Sequence, residues 1–211
     1  TVGSDGVEQT RRFSAVVSAL GLLDRPYIPE FAGADDFLGA AMHSQDWNHS
    51  VDLAGKRVAV IGTGASAYQI VPAIAEEVAS LTVFQRTAPW MLPAPNYHDE
   101  VGATFTWLTE KVPHFAQWFR LWVILTGIEG RAHTVTAEDG WDGAPLSISR
   151  KNQELREFLA ARIEAQLVSR PDLLANAIPG YPPGAKRMLR DNGVWAEALM
   201  APTTTVVTSG V

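Results

Sequence analysis

Hydrophobic and polar residues alternate in a pattern that predicts a strand, a glycine turn, a helix and a second strand. Arg57–Ile61 is a short β-branched apolar run, typical of a buried strand in a parallel sheet. Apolar residues at four-residue spacing predict a helix over Ser66–Ala79, and Pro72 should kink this helix or restrict it to its first turns. Leu81–Phe84 is the next apolar run, so the segment has the order of a βαβ unit.

Helical spacing dominates between residues 99 and 180 and predicts a mainly helical insertion. Val101–Leu125 forms one helical pattern broken at Pro113, and Asn152–Val168 forms an amphipathic pattern with Arg156 and Arg162 on its polar side. We expect the aromatic residues of the first pattern to form the core of the insertion, with a path for an apolar substrate as the alternative. These residues are Trp107, Phe115, Trp118, Phe119 and Trp122.

Three further segments have extended patterns. Val2–Val7 contains a turn signal between two short runs, Phe13–Leu20 predicts a buried strand, and Thr204–Thr208 predicts a last strand. A hairpin that feeds a buried strand is typical of the end of a domain rather than its start.

Composition narrows the class of protein. The chain has 17 basic and 23 acidic residues, a net charge of −6, which argues against nucleic-acid binding. It has no cysteine, which excludes disulfides, thiolate metal sites and a cysteine nucleophile. His43, Asp46 and His49 lie close together in sequence, but no further ligand follows at metal spacing, so we expect no metal site.

The most apolar stretch, Phe115–Ile128, is interrupted by Gln117 and Arg120 and is shorter than the ~20 residues of a membrane-spanning helix. We expect a buried or groove-lining helix, with a membrane-surface helix as the alternative. No signal-peptide pattern is visible, so we expect a cytoplasmic protein.

The strongest chemical motif is G-x-G-x-x-A between the first predicted strand and helix. Gly62 permits a tight turn, Gly64 lets the backbone approach a pyrophosphate, and Ala67 allows close packing of helix on strand. The pyrophosphate would lie on the helix N-terminus, where free N–H groups favour negative charge. The motif predicts a Rossmann-like α/β dinucleotide-binding domain; a purely structural turn is the alternative. The predicted cofactor-binding residues here are Gly62, Thr63, Gly64, Ala65, Ser66, Ala67 and Gln69.

The end of the second predicted strand indicates which dinucleotide binds. An NAD site has an acidic residue ~20 positions after the turn, which binds the ribose hydroxyl. Here the strand ends in Phe84-Gln85-Arg86-Thr87, without a carboxylate. Arg86 can bind a 2′-phosphate with a forked, charged contact, which favours NADP over NAD; a solvated arginine is the alternative.

Upstream of this unit lies an F-x-G-x-x-x-H-x-x-x-W string formed by Phe37, Gly39, His43 and Trp47. It resembles the fingerprint of the Baeyer–Villiger monooxygenases, flavoenzymes that insert oxygen beside a ketone. Related N- and S-oxygenating flavin monooxygenases have Tyr or Phe in place of Trp47. We interpret the four residues as a linker segment that positions the NADP domain relative to a flavin domain. The alternative for His43 is a histidine of the core or of a linker without a further role.

Other segments are similar to this family. Val83–Pro89, with Arg86 and Thr87, resembles the segment that clasps the NADP phosphate. Tyr181–Arg187 resembles the family's Y-P-x-G-x-K-R segment, in which the lysine helps bind the 2′-phosphate and the arginine stabilises a peroxide anion at the flavin. The resemblance therefore implies that Lys186 binds cofactor and Arg187 is catalytic, whereas the residues alone favour a surface basic pair. Ser18–Gly21 resembles an A-T-G segment near the end of the flavin-binding part.

The resemblance implies an NADPH- and FAD-dependent enzyme that converts apolar ketones and O2 to esters or lactones through a flavin peroxide. It implies that residues 1–36 are the tail of an FAD-binding segment and that residues 37–54 are the fingerprint linker. Residues 55–211 would then form most of the NADP domain, with a mainly helical insertion at about 99–180 and a truncated C-terminus. We find no second glycine turn for FAD, so we expect an internal piece of a longer enzyme, inactive in isolation. The alternatives are an N- or S-oxygenating flavin monooxygenase and a free-standing NADP-binding module. The oligomeric state is left open.

Overall fold

The computed structural model describes residues 6, 8, 10, 12–19, 21, 23, 25–94, 96, 97 and 99–209, which fall into two compact units, Thr1–His49 and Ser50–Val211. The first unit contains a short 3-10 helix, Ala34–Asp36. The predicted strand at Phe13–Leu20 is wrong for residues 13–19, which are exposed and not in a strand. The reason is that a strand needs a ladder partner, and the described sheets all lie in the second unit. Leu20 and, apart from Gly6, the predicted turn at Val2–Val7 lie outside the described residues.

The second unit is built on a parallel three-stranded sheet. Its strands are β1 (Arg57–Ile61), β2 (Ser80–Phe84) and β5 (Thr204–Val207), in the order β1-β2-β5. Helix α1 (Ala65–Ile74) connects β1 to β2, which confirms the βαβ unit. Full burial of β1 was a wrong expectation: Ile61 is 52% exposed, because among the described strands β1 pairs only with β2.

Helix α1 is shorter than the apolar spacing alone predicts. It ends at Ile74 rather than Ala79, two residues after Pro72. Proline lacks an amide donor, so Pro72 removes one bond of the helical ladder, but the helix continues through it and the Ala75 amide still donates to the Val71 carbonyl at 3.1 Å. The face that α1 buries includes Val71, which packs with Leu81 of β2 in the main core. The glycine turn is thereby held firmly against the sheet.

One further helix and a pair of short strands complete this core. The strands β3 (Met91–Pro93) and β4 (Leu189–Asp191) pair in parallel and form a second sheet that sequence patterns did not indicate. Helix α6 (Val194–Met200) packs between α1 and β5. Three-residue strands have no readable period, so only the tertiary pairing defines them.

A second cluster forms where α4 (Arg150–Gln166) and α5 (Pro171–Ala177) cover Trp90. The predicted amphipathic helix is confirmed, with Leu159 and Ile163 buried. Placing Arg156 on its polar side was wrong: the guanidinium carbon lies 5.7 Å from the centre of the Trp90 ring, and Nε is buried without an acceptor. Arg162 is half-buried. The indole provides a flat surface on which Arg156 stacks, so the buried face of α4 is wider than the row of Leu159 and Ile163 alone.

The predicted break at Pro113 is confirmed, since it separates α2 (Ala103–Lys111) from α3 (Phe115–Ala132). The expectation that the aromatic residues form a core is wrong, because no residue of α2 or α3 is buried. Trp118 is 68% exposed, Trp122 is 60% exposed, and Phe105 packs edge-on against Phe119 at 4.9 Å. The two helices pack mainly against each other, and two helices alone cannot bury a face this wide. None of the helices in the described part of the chain has the length and hydropathy needed to cross a bilayer.

Candidate functional site

The glycine turn lies at the carboxyl edge of the parallel sheet, where ligands of such folds bind. Gly62 has a φ of +104°, which side-chain-bearing residues rarely adopt, and its amide donates to the Phe84 carbonyl at 2.9 Å. This hydrogen bond joins the end of β1 directly to the end of β2. The predicted tight turn is therefore present and lies beside Arg86.

The start of α1 leaves its donors available. Gly64 is the N-cap residue and no side chain caps the helix, so the first-turn amides of Ala65 and Ser66 have no side-chain acceptor. A Cβ at Gly64 would meet no atom within 4 Å, so the protein itself does not require glycine there, whereas a closely bound phosphate would. Ala67 is buried, and the Gln69 side chain donates to the Ala65 carbonyl at 2.9 Å.

The residues after β2 divide into a buried and an exposed group. Gln85 is 6% exposed, and its side-chain amide donates to the Asn176 carbonyl at 2.6 Å, which binds α5 to the sheet. Arg86 is exposed, and no hydrogen bond or ion pair holds its guanidinium within the described residues. The side chain free to meet a ribose at this edge is therefore a cation and not an acid.

Thr87 joins the end of β2 to the Lys186 loop, which lies 99 residues later in the chain. The Thr63 hydroxyl donates to the Thr87 carbonyl at 2.9 Å, and the Lys186 ammonium donates to the Thr87 hydroxyl at 2.9 Å. The Lys186 ammonium also lies 4.5 Å from the centre of the Tyr181 ring. Thr87, the residue after Arg86, thus contacts both the glycine turn and Lys186. The spacing of these residues in the sequence does not show this contact.

The Lys186 loop is anchored from both sides. The Trp90 indole donates to the Tyr181 carbonyl at 2.8 Å, and the Tyr181 hydroxyl donates to the Ala88 carbonyl at 3.0 Å. Burial raises the pKa of Tyr181, so the phenol keeps the proton that it donates. The fully buried Asn152 amide donates to the Pro183 carbonyl at 2.8 Å. These contacts position Lys186 through rigid neighbours rather than through its own flexible stem.

Asn152→Ala is expected to lower the free energy of unfolding by about 2–4 kcal/mol. The change leaves two carbonyls without their donor, those of Thr134 at 2.7 Å and Pro183 at 2.8 Å, and removes the acceptor of the Ile148 amide at 3.3 Å. Urea denaturation measures the effect. Lys151→Ala, at the exposed neighbouring position, is the control and should change stability by less than about 0.5 kcal/mol. Equal effects of the two substitutions would contradict the anchoring role.

Arg187 follows Lys186 directly and precedes β4. Its side chain is exposed, and the described residues provide it with no hydrogen bond or ion pair. The structure therefore places a free guanidinium next to the Lys186 contact, and its catalytic role stays a prediction.

The fingerprint residues lie in the first unit and form a local arrangement. The ring of Phe37 lies over Gly39, and a Cβ at Gly39 would lie 2.6 Å from the far end of the ring. His43 accepts a hydrogen bond at Nδ1 from the Gln45 amide at 3.1 Å, and Trp47 is half-buried. Their predicted function as a link between domains stays a prediction.

Sequence reasoning missed a buried carboxylate beside the glycine turn. Asp191 is 2% exposed and accepts from the Tyr68 hydroxyl at 2.7 Å and from the Gln166 amide at 3.1 Å. Burial, followed by the hydrogen bond to Asp191, raises the pKa of Tyr68. The Tyr68 ring also stacks on Trp195, with the ring centres 5.6 Å apart. No spacing rule predicts these pairings, because the residues come from four different elements.

A small cavity lies behind this edge of the sheet. It has a volume of about 20 Å3, room for one water molecule, and Gln85, Gln166 and Trp195 are among its lining residues. The glycine turn does not line it, so it is not the dinucleotide site. Within the described ranges, no group of three or more His, Cys, Asp or Glu side chains is placed to hold a metal ion.

Comparison with known proteins agrees with this geometry. The profile of the flavin-binding monooxygenase-like family matches residues 1–102. An uncharacterised monooxygenase of Sinorhizobium fredii is 41% identical over 207 residues, which cover 96% of this chain and 30% of that protein. A Baeyer–Villiger monooxygenase of Pseudomonas aeruginosa is 38% identical over 200 residues, which cover 94% of this chain and 35% of that protein.

The fold is also found in solved structures. The crystal structure of cyclohexanone monooxygenase from Rhodococcus sp. Phi1 bound to NADP+ matches with a TM-score of 0.66 at 26% identity, covering 90% of this chain and 39% of that one. The chain spans about a third of the length of the curated relatives described above. The likeness confirms the Rossmann-like α/β fold. Residues 1–102 thus match the flavin-binding monooxygenase-like family, and nearly the whole chain is similar to the Baeyer–Villiger monooxygenases.

Proposed function

We propose that this chain forms the NADPH-binding part of an FAD- and NADPH-dependent monooxygenase that oxygenates apolar ketones to esters or lactones. The observation that carries the proposal is the contact of Lys186 with Thr87, next to Arg86 and bonded to the glycine turn through Thr63. A dinucleotide with an extra phosphate needs both an anion site at a helix N-terminus and a nearby pair of cations.

Each segment has a separate task in binding. The free amides at the start of α1, behind Gly62 and Gly64, would bind the pyrophosphate. Arg86 and Lys186 would bind the 2′-phosphate, with Thr87 holding the ammonium in place. Buried Gln85 cannot offer the acidic contact that a free ribose hydroxyl requires.

The exposed cation at Arg187 can approach a flavin, and the family profile that matches residues 1–102 is that of flavin-binding monooxygenases. FAD, when bound, would supply the activation of O2 for oxygen transfer. The guanidinium of Arg187 would stabilise the negative charge that develops on the oxygen of the attacked carbonyl, since it remains charged at any working pH. The exposed position of Arg187 leaves it accessible to a cofactor and a substrate.

Isothermal titration of the chain with NADP+ and NAD+ tests the cofactor assignment. We expect NADP+ to bind at least about tenfold more tightly, because one charge-assisted contact to the extra phosphate contributes ~1.5–3 kcal/mol. Adenosine 2′-monophosphate should compete with NADP+, since it carries the phosphate that Arg86 and Lys186 would contact. Equal affinities for NADP+ and NAD+, or no binding of either, would overturn the assignment.

A further inference from the structure

The strongest unused feature near this site is the buried pair Tyr68–Asp191. The hydroxyl of Tyr68 donates to Asp191 at 2.7 Å, and the described part of the chain shows no salt bridge to this carboxylate. A carboxylate that is 2% exposed and held by neutral donors is costly to bury. A buried hydrogen-bonded pair of this kind can offset that cost by holding two secondary-structure elements in one fixed position relative to each other.

The two residues belong to the two halves of the proposed cofactor site. Tyr68 lies in the first turn of α1, and its amide donates to the Gly64 carbonyl at 2.9 Å, closing the turn that would bind the pyrophosphate. Asp191 is the last residue of β4 and lies four residues after Arg187. The hydrogen bond between them therefore joins the pyrophosphate turn to the strand that follows the Lys186-Arg187 pair.

Neighbouring contacts make this connection stiff. The Tyr68 ring stacks on Trp195, so the hydroxyl has little freedom to turn away from Asp191. Strand β4 pairs with β3, and the Asp191 carbonyl accepts from the Ala94 amide at 2.7 Å. A movement of β4 relative to α1 must therefore break the Tyr68–Asp191 hydrogen bond.

We infer that Tyr68 and Asp191 are positioning residues that set the spacing between the pyrophosphate subsite and the 2′-phosphate subsite. The inference rests on the proposed function. In NADP+ the 2′-phosphate and the pyrophosphate are attached to the same ribose, so its affinity depends on the spacing of the two subsites, in the way that a bivalent ligand depends on the span of its sites. A ligand that reaches only one subsite is insensitive to that spacing.

Tyr68→Phe tests this relation, because it removes the hydroxyl and keeps the stacked ring. We expect NADP+ affinity to fall about 5- to 20-fold, a typical coupling between linked sites. ADP, which carries the diphosphate alone, and adenosine 2′-monophosphate should bind within about twofold of the unsubstituted chain. Calorimetric titration of the three ligands measures the pattern, and circular dichroism confirms folding.

Gln166→Leu is the matched control. It removes the other side-chain donor to Asp191, at 3.1 Å, but Gln166 lies on α4 and does not contact the glycine turn. We expect NADP+ affinity to remain within about twofold, even where thermal stability falls. A loss equal to that of Tyr68→Phe would show that stability and not spacing is affected, and would overturn the inference.

Two substitutions at the acceptor provide a second test, should Tyr68→Phe fail to fold. Asp191→Asn retains an oxygen that accepts from Tyr68, whereas Asp191→Leu does not. We expect the selective loss of NADP+ affinity with Asp191→Leu and a clearly smaller loss with Asp191→Asn. Equal losses for all three ligands, or no loss, would overturn the inference. If the unsubstituted chain binds none of the three ligands, the proposed function fails and the inference falls with it; if it binds them and Tyr68→Phe binds identically, only the inference fails.

Discussion

Arg187→Ala is expected to lower the rate of ester formation by about 10²–10³-fold in the flavin-containing enzyme. The guanidinium would stabilise the charge that develops on the substrate carbonyl oxygen only in the transition state, so its loss affects kcat more than cofactor binding. Arg187 is exposed and is not held by another described residue, so its removal should leave folding intact. The measurement is ester yield from a ketone and labelled O2, alongside NADPH consumption and NADP+ affinity.

Two further variants distinguish a specific catalytic role of Arg187 from a general effect of positive charge in this segment. Arg187→Lys should restore activity only in part, because a compact ammonium lacks the planar fork of the guanidinium. Arg190→Ala removes another exposed arginine from the same segment and should leave ester formation unchanged within about twofold. A normal ester yield from Arg187→Ala would contradict the catalytic role and would show that this residue is only a cation on the surface.

Arg86→Ala is expected to weaken NADP+ binding by about 10- to 150-fold and to leave NAD+ binding almost unchanged. The reason is that Arg86 is the exposed cation after β2, next to the Lys186–Thr87 contact, so its substitution removes a charged contact to the 2′-phosphate alone. Calorimetric titration with the two dinucleotides measures the selectivity. The effect should weaken in high salt, because both partners are solvent-exposed charges.

Arg57→Ala is the control for net charge. Arg57 is an exposed arginine of the same sheet, but it lies at the amino end of β1, opposite the glycine turn. We expect NADP+ affinity to change by less than about twofold. Equal losses of NADP+ and NAD+ affinity in Arg86→Ala would show a general effect on the turn and would contradict phosphate recognition.

The sequence by itself determined the elements whose signals are local. The βαβ unit follows from a β-branched run, a glycine turn and four-residue spacing, each of which acts within a few residues. The break between α2 and α3 follows from Pro113. The resemblance to the Baeyer–Villiger monooxygenases, confirmed by the relatives, likewise rests on contiguous motifs.

Only the tertiary structure decided which residues meet across long stretches of chain. The Thr87–Lys186 contact and the Tyr68–Asp191 pair join residues separated by 99 and 123 positions, and no periodicity encodes such a distance. It also decided burial, which depends on what covers a side chain: Arg156 is stacked on Trp90, whereas the aromatic face of α3 is exposed. Residue type and spacing indicate which faces are apolar, but packing between distant elements determines which of those faces are buried.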